Sequence, residues 1–154
     1  MKTNSAGDQP QTIHSERAAP PVGPYPHARR AGQLLFLSGV GPRRPGTTEI
    51  PGVTLSPDGS VESYDVKTQT HACFENIAAV LEAAGLNLSN VVDVQIFLTD
   101  IKRDFKEFNE VYGCYFSSET GPARTTIGVT GLPTPIHVEL KAEAHRKINL
   151  ALKL

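Results

Sequence analysis

Ten consecutive residues near the end of the chain, Ile136 to His145, alternate apolar and polar without a break. Ile136, Val138, Leu140, Ala142 and Ala144 take one side, and His137, Glu139, Lys141, Glu143 and His145 take the other. A β-strand points successive side chains to opposite faces, so only a strand sorts such a run into two clean sets. One face then belongs in a core, and the other meets water or another molecule. That pattern predicts a largely antiparallel sheet covered by helices on one side.

Other stretches supply the rest of the layer. VVDVQIFL at 91–98 again has a period of two, with Val92, Val94, Ile96 and Leu98 on the inner side. Within 65–84, Val66, Thr70, Cys73, Ile77, Val80, Leu81 and Ala84 recur at helical spacing; Ser63 or Asp65 can cap the start, and Gly85 fits the left-handed position after the end. A second helix, about 104–116, aligns Phe105, Phe108, Tyr112 and Tyr115. Gln33 to Leu37 reads as a short buried strand with HARRAG as its hairpin partner, and TTIGV follows the breakers Gly121 and Pro122. The order β-β-α-β-α-β-β predicts an α+β fold, a mainly antiparallel mixed sheet with two helices on one face. Residues 41–61, dense in Gly and Pro, form a long structured loop with room for an extra strand.

The chain of 154 residues is one domain's worth. Residues 1–20 are polar and Pro-tipped and are expected to be a flexible extension; 21–146 form the domain, and 147–154 a tail. Fifteen Lys+Arg against sixteen Asp+Glu leave a net charge of -1, which gives no electrostatic case for nucleic acid. No apolar run approaches the roughly 20 residues that cross a bilayer, and the N-terminus lacks the apolar centre of a secretory signal, so a cytoplasmic location is expected. Cys73 and Cys114 form no metal or redox motif.

The familiar catalytic templates are missing: no GxSxG elbow, no phosphate-binding GxxxxGK[ST] and no HExxH. His137, Glu139, Glu143 and His145 share a strand face, but successive same-face residues spread by roughly 6.5–7 Å, so they do not converge on one ion. No metal and no cofactor are expected. Glu139, flanked by Val138 and Leu140, becomes a candidate general base if a neighbouring subunit covers its face and raises its proton affinity. In GPARTT, Pro122 stiffens the backbone before Arg124, whose guanidinium can grip a carboxylate bidentately, with the hydroxyls of Thr125 and Thr126 beside it. Arg43 and Arg44 place two cations in the Gly/Pro loop.

Several stretches together resemble a known family. Gly23-Pro24-Tyr25, Phe36-Leu37-Ser38-Gly39, Gln69-Thr70, Asn76, Leu81 to Gly85, Phe97-Leu98-Thr99-Asp100, Asp104-Phe105, Asn109 to Tyr112, Gly121 to Arg124 and Val138-Glu139-Leu140 are similar to the Rid/YjgF family of enamine/imine deaminases. The resemblance implies a chorismate-mutase-like fold, a homotrimer with its helices outside, and ligand clefts between subunits. It implies that Arg124 binds the substrate's α-carboxylate, that Glu139 positions or deprotonates the attacking water, and that Tyr25, Ser38, Gly39 and Asn109 line the cleft. Arg43-Arg44-Pro45, Pro51-Gly52-Val53, Asn109 to Gly113 and Leu132 to Pro135 resemble the branch acting on 2-aminomuconate, a dicarboxylate, for which Arg43 or Arg44 is the expected second anchor. Thr126 replaces a cysteine common in the family, and Lys141 a second glutamate. Two alternatives stay open: a broad-range deaminase of enamines such as 2-aminoacrylate, and a non-catalytic trimer that binds small carboxylates.

Overall fold

The computed structural model describes residues 9–146. In chain order these form β1 (Gln11–Ile13), β2 (Ala28–Ala31), β3 (Leu34–Leu37), β4 (Val53–Leu55), β5 (Val61–Tyr64), α1 (Val66–Ala83), a single 3-10 turn (Leu88–Asn90), β6 (Val91–Leu98), α2 (Ile101–Tyr112), β7 (Ala123–Gly128) and β8 (Val138–His145). Six strands make one sheet in the order β1-β2-β3-β8-β6-β7. Every pairing in it is antiparallel except β6 with β7, which run parallel because α2 carries the chain back across the sheet. β4 and β5 form a separate hairpin inside the Gly/Pro loop, which is the extra strand pair that loop had room for.

β8 obeys its alternation: Val138, Leu140, Ala142 and Ala144 are buried, while Glu139, Lys141 and Glu143 lie on the other face. Both helices pack on the apolar face, where Phe74, Ile77, Val80 and Leu81 of α1 and Phe108 of α2 join Val94, Ile96 and Leu98 of β6 in one core. Asp65 caps α1 by accepting from Lys67 N, and Gly85 ends it at φ 74 with Leu86 N–H donating to Leu81 O at 2.9 Å. Asp100 caps α2 three residues earlier than the aromatic stripe alone indicates, by accepting from Arg103 N.

Three expectations are corrected. Residues 9–20 are not a loose extension: β1 pairs with β2, and Ile13, Ser15 and Ala18 are buried because Ser15 Oγ donates to Ala79 O and Ala19 N–H to Asn76 Oδ1, fastening the segment across α1. In β6, a register irregularity between Val91 and Asp93 turns Val91 inward and leaves Val92 45% exposed. Phe105 of the α2 stripe is exposed, and Asp104 takes the buried position instead, accepting from Tyr64 OH at 2.7 Å. The expected 147–154 tail and residues 1–8 lie outside the described residues.

Candidate functional site

Glu139 sits on β8 opposite Phe97. Between β3 and β8 the register shifts by one residue: Phe36 faces Glu143, but Val40 bridges to Leu140. Gly39 lies in this irregular stretch against the Glu139 carboxyl; a Cβ there would lie 2.9 Å from Glu139 Cδ and closer still to Oε1. The carboxyl is half-buried, no ion pair among the described residues reaches it, and burial alone pushes its pKa up. It therefore binds a proton more tightly than an ordinary glutamate, as a base working near neutrality needs.

The pocket around Glu139 is closed by Tyr25, Ser38, Gly39, Arg43 and the Pro20–Pro21–Val22 segment. Ser38 Oγ donates to Pro26 O at 2.7 Å, and Ser38 N–H donates to His27 O at 2.9 Å, so this wall is tied to the chain before β2. Asn76 joins the walls from beneath. Its Oδ1 accepts from Ala19 N at 3.0 Å, and its Nδ2 donates to Gly41 O at 3.0 Å and Arg43 O at 2.9 Å. Sequence reasoning placed Asn76 only within the family pattern. The available signal was a polar amide on the packing stripe of α1, where an unpaired amide is costly to bury.

Arg124, Asn109 and Thr126 form a second group. Arg124 Nη1 donates to Asn109 Oδ1 at 2.8 Å, and the guanidinium lies 4.7 Å from the Tyr112 ring centroid and 5.8 Å from that of Phe105. α2 thus aims the arginine from behind, holding its plane while leaving further N–H donors for a ligand. Thr126 Oγ1 is buried without a hydrogen-bond partner among the described residues, and Arg124, Thr126 and Phe105 line a shallow depression.

Glu139 is level with Phe97, and Arg124 with Val94 on the same strand. The odd and even positions of β6 face opposite ways, so the glutamate and arginine groups of one chain lie on opposite faces of the sheet. Two expected residues fall outside both groups. Thr125 is level with Gln95 and so points away from Arg124, and Arg44 is turned outward to Glu49, its Nε 3.1 Å from Oε1. Arg44 is corrected as a pocket residue because that surface carboxylate already answers its charge.

His137, grouped by alternation with Glu139, instead stacks on Tyr64 at 3.5 Å between ring centroids, beside Asp104. Burial lowers the His137 pKa, and burial plus the Asp104 bond pushes Tyr64 up to about 12. Among the described residues no three His, Cys, Asp or Glu side chains gather as a metal site. Among them, too, no helix is long and apolar enough to cross a membrane.

Comparison with known proteins identifies the family and the fold. A sequence model of the family described as Endoribonuclease L-PSP matches residues 16–146. A RutC family protein of Pyrococcus horikoshii is 39% identical over 137 residues, covering 89% of this chain and 98% of its own length. The Escherichia coli protein TdcF, which carries the name reactive intermediate deaminase, is 34% identical over 136 residues, with 87% and 95% covered. The solved structure of E. coli TdcF with bound serine superimposes with a TM-score of 0.75 at 32% identity, covering 89% of this chain and 99% of that one. The α+β layer with its mixed sheet and two helices is thus the fold of those structures, and the chain belongs to the Endoribonuclease L-PSP family, the Rid/YjgF family of reactive-intermediate deaminase relatives.

Proposed function

We propose that this protein is a cytoplasmic hydrolytic deaminase of carboxylate-bearing enamines and imines. The observation that carries the reading is the Glu139 carboxyl, half-buried in a pocket, without an ion-pair partner among the described residues and raised in proton affinity by burial alone. An enamine tautomerises to an imine whose carbon is already electrophilic. Glu139 takes a proton from the water that attacks this carbon and passes it to the imine nitrogen, giving the carbinolamine; the same carboxylate then takes the hydroxyl proton and delivers it to the amino nitrogen as the C–N bond breaks, which releases ammonia and leaves a 2-oxo acid. Arg124 holds the α-carboxylate and so orients the imine carbon. Serine bound to TdcF is likewise a small carboxylate.

Because the two groups lie on opposite faces of one sheet, a complete site takes Glu139 from one copy and Arg124 from a neighbour. The open face carrying Gln95, Thr125 and Ile127, the last 43% exposed, supplies a surface for that neighbour, and a chorismate-mutase-like homotrimer is the proposed assembly. Within the substrate class the favoured member is 2-aminomuconate, converted to 4-oxalocrotonate and ammonia in aromatic or tryptophan-type catabolism. An endoribonuclease reading is disfavoured by charge, since a net of -1 offers little to a polyanion.

Glu139→Gln tests the mechanism. Turnover of 2-aminomuconate, followed as ammonia release, is expected to fall about 10²–10⁴-fold; unchanged turnover would remove the water-activating role. A proton affinity raised by folding stabilises the fold below the ordinary carboxylate range and is lost as pH rises through the raised value. Above the raised value the ionised Glu139 costs stability, and Glu139→Gln is there expected to melt no lower than wild type, with any advantage fading in acid. Faster wild-type turnover of 2-aminoacrylate than of 2-aminomuconate would favour the broad-range deaminase. A second variant reads the geometry: Gly39→Ala pushes a methyl group into the carboxyl and is expected to lower turnover about a hundredfold with the circular dichroism spectrum intact.

A further inference from the structure

Arg43 and Arg44 are neighbours in sequence whose side chains take different partners. Arg44 is paired with Glu49 on the surface, where both side chains are more than half exposed, and its backbone N–H donates to Glu49 O at 3.0 Å. Arg43 is half-buried and lines the Glu139 pocket as well as the outer groove that it shares with Arg44. Its Nη2 donates to the Pro20 carbonyl, while its own backbone carbonyl is held by Asn76 Nδ2 at 2.9 Å. The side chain is therefore fixed at both ends, with several guanidinium donors still free for a ligand.

No ion pair among the described residues includes Arg43. The pocket wall beside it is Ala18, Ala19, Pro20, Pro21 and Val22. His27, which also lines the pocket, uses both ring nitrogens: Nδ1 accepts from Ser15 N at 3.1 Å, which leaves Nε2 to donate to Ala19 O at 2.9 Å and makes the ring neutral. Arg43 is thus the one positive charge among the described residues lining this pocket. A guanidinium that lines a pocket with no carboxylate in an ion pair with it among the described residues keeps donors for an entering anion, which forms a charge-assisted hydrogen bond there.

We propose that Arg43 binds a second anionic group of the substrate, distal to the reacting carbon, and thereby selects dicarboxylates over monocarboxylates of equal length. The proposal rests on reading the pocket as the enamine/imine site. Arg124 from the neighbouring copy takes the proximal carboxylate, Glu139 faces the carbon between them, and Arg43 sets the charge required at the far end.

The test uses two product-like ligands with the same six-carbon chain, 2-oxoadipate and 2-oxohexanoate, titrated by calorimetry into wild type, Arg43→Gln and Arg44→Gln. Glutamine retains a donor for the Pro20 carbonyl while removing the charge. Wild type is expected to prefer the dicarboxylate roughly ten- to a hundredfold, the range of a charge-assisted hydrogen bond. Arg43→Gln is expected to lose that preference by weakening only 2-oxoadipate, and Arg44→Gln to retain it. Equal binding of the two acids to wild type, or a preference that survives in Arg43→Gln, overturns the assignment. Failure of wild type to bind either acid overturns it too, and if Glu139→Gln also leaves ammonia release intact, the enamine/imine reading falls separately.

Discussion

Co-expressing Arg124→Ala with Glu139→Gln, each nearly inactive alone, is expected to restore about a quarter of wild-type ammonia release. In one chain the arginine aligns with Val94 and the glutamate with Phe97, on opposite faces of β6. In the proposed ring of three copies the glutamate face of each lies beside the arginine face of the next. About three quarters of randomly assembled rings are mixed, and each mixed ring contains one cleft in which a sound Glu139 meets a sound Arg124. The single variants should fall by at least about a hundredfold, Glu139→Gln through lost proton transfer and Arg124→Ala through lost orientation. The recovery therefore stands far above background. Co-expressed chains that assemble into mixed rings and remain inactive would show that the two residues do not share a cleft.

Phe74→Ala is expected to cost about 3–5 kcal/mol of folding stability, measured by urea denaturation. Phe74 is 1% exposed; it stacks on Tyr115 at 4.1 Å and meets Phe116 edge-on at 5.7 Å. It therefore fastens α1 to the end of α2 and the turn beyond it. Since a domain of this size has only about 5–15 kcal/mol in hand, the loss is a large fraction of the whole. Leu55→Ala is the control, expected within about 0.5 kcal/mol because Leu55 is 45% exposed. A Phe74→Ala cost no larger than the control's would mean that the aromatic cluster re-forms without its central ring.

The periodicity of β8 and of α1 was legible because a long amphipathic run has only one way to bury itself. Val66, Thr70, Cys73, Ile77, Val80 and Leu81 are all buried as the spacing requires. β1 was not legible, since three residues with one buried apolar side chain, Ile13, carry too little pattern to outweigh a polar setting. Val91 and Val92 exchanged roles because a register irregularity is a property of two paired strands and leaves no mark on one of them. The same limit applies to the site. Arg124 and Glu139 could be named from their local setting and family resemblance, but that they point away from each other depends on both having β6 as a neighbour. Arg43 and Arg44 looked alike as residues, and only the positions of Glu49, Pro20 and Asn76 separate the cation that lines the Glu139 pocket from the one paired with a surface carboxylate.

The division of the site between two faces also determines how a damaged copy behaves beside a sound one. In the proposed ring each chain lends its arginine to one cleft and its glutamate to another, so a copy lacking Arg124 silences one cleft and leaves the other two. Activity then follows the fraction of sound copies in direct proportion. A lesion at Arg124 or Glu139 is expected to be recessive in a cell carrying both alleles, whereas a lesion that distorts the shared open face would poison its partners and be inherited as dominant.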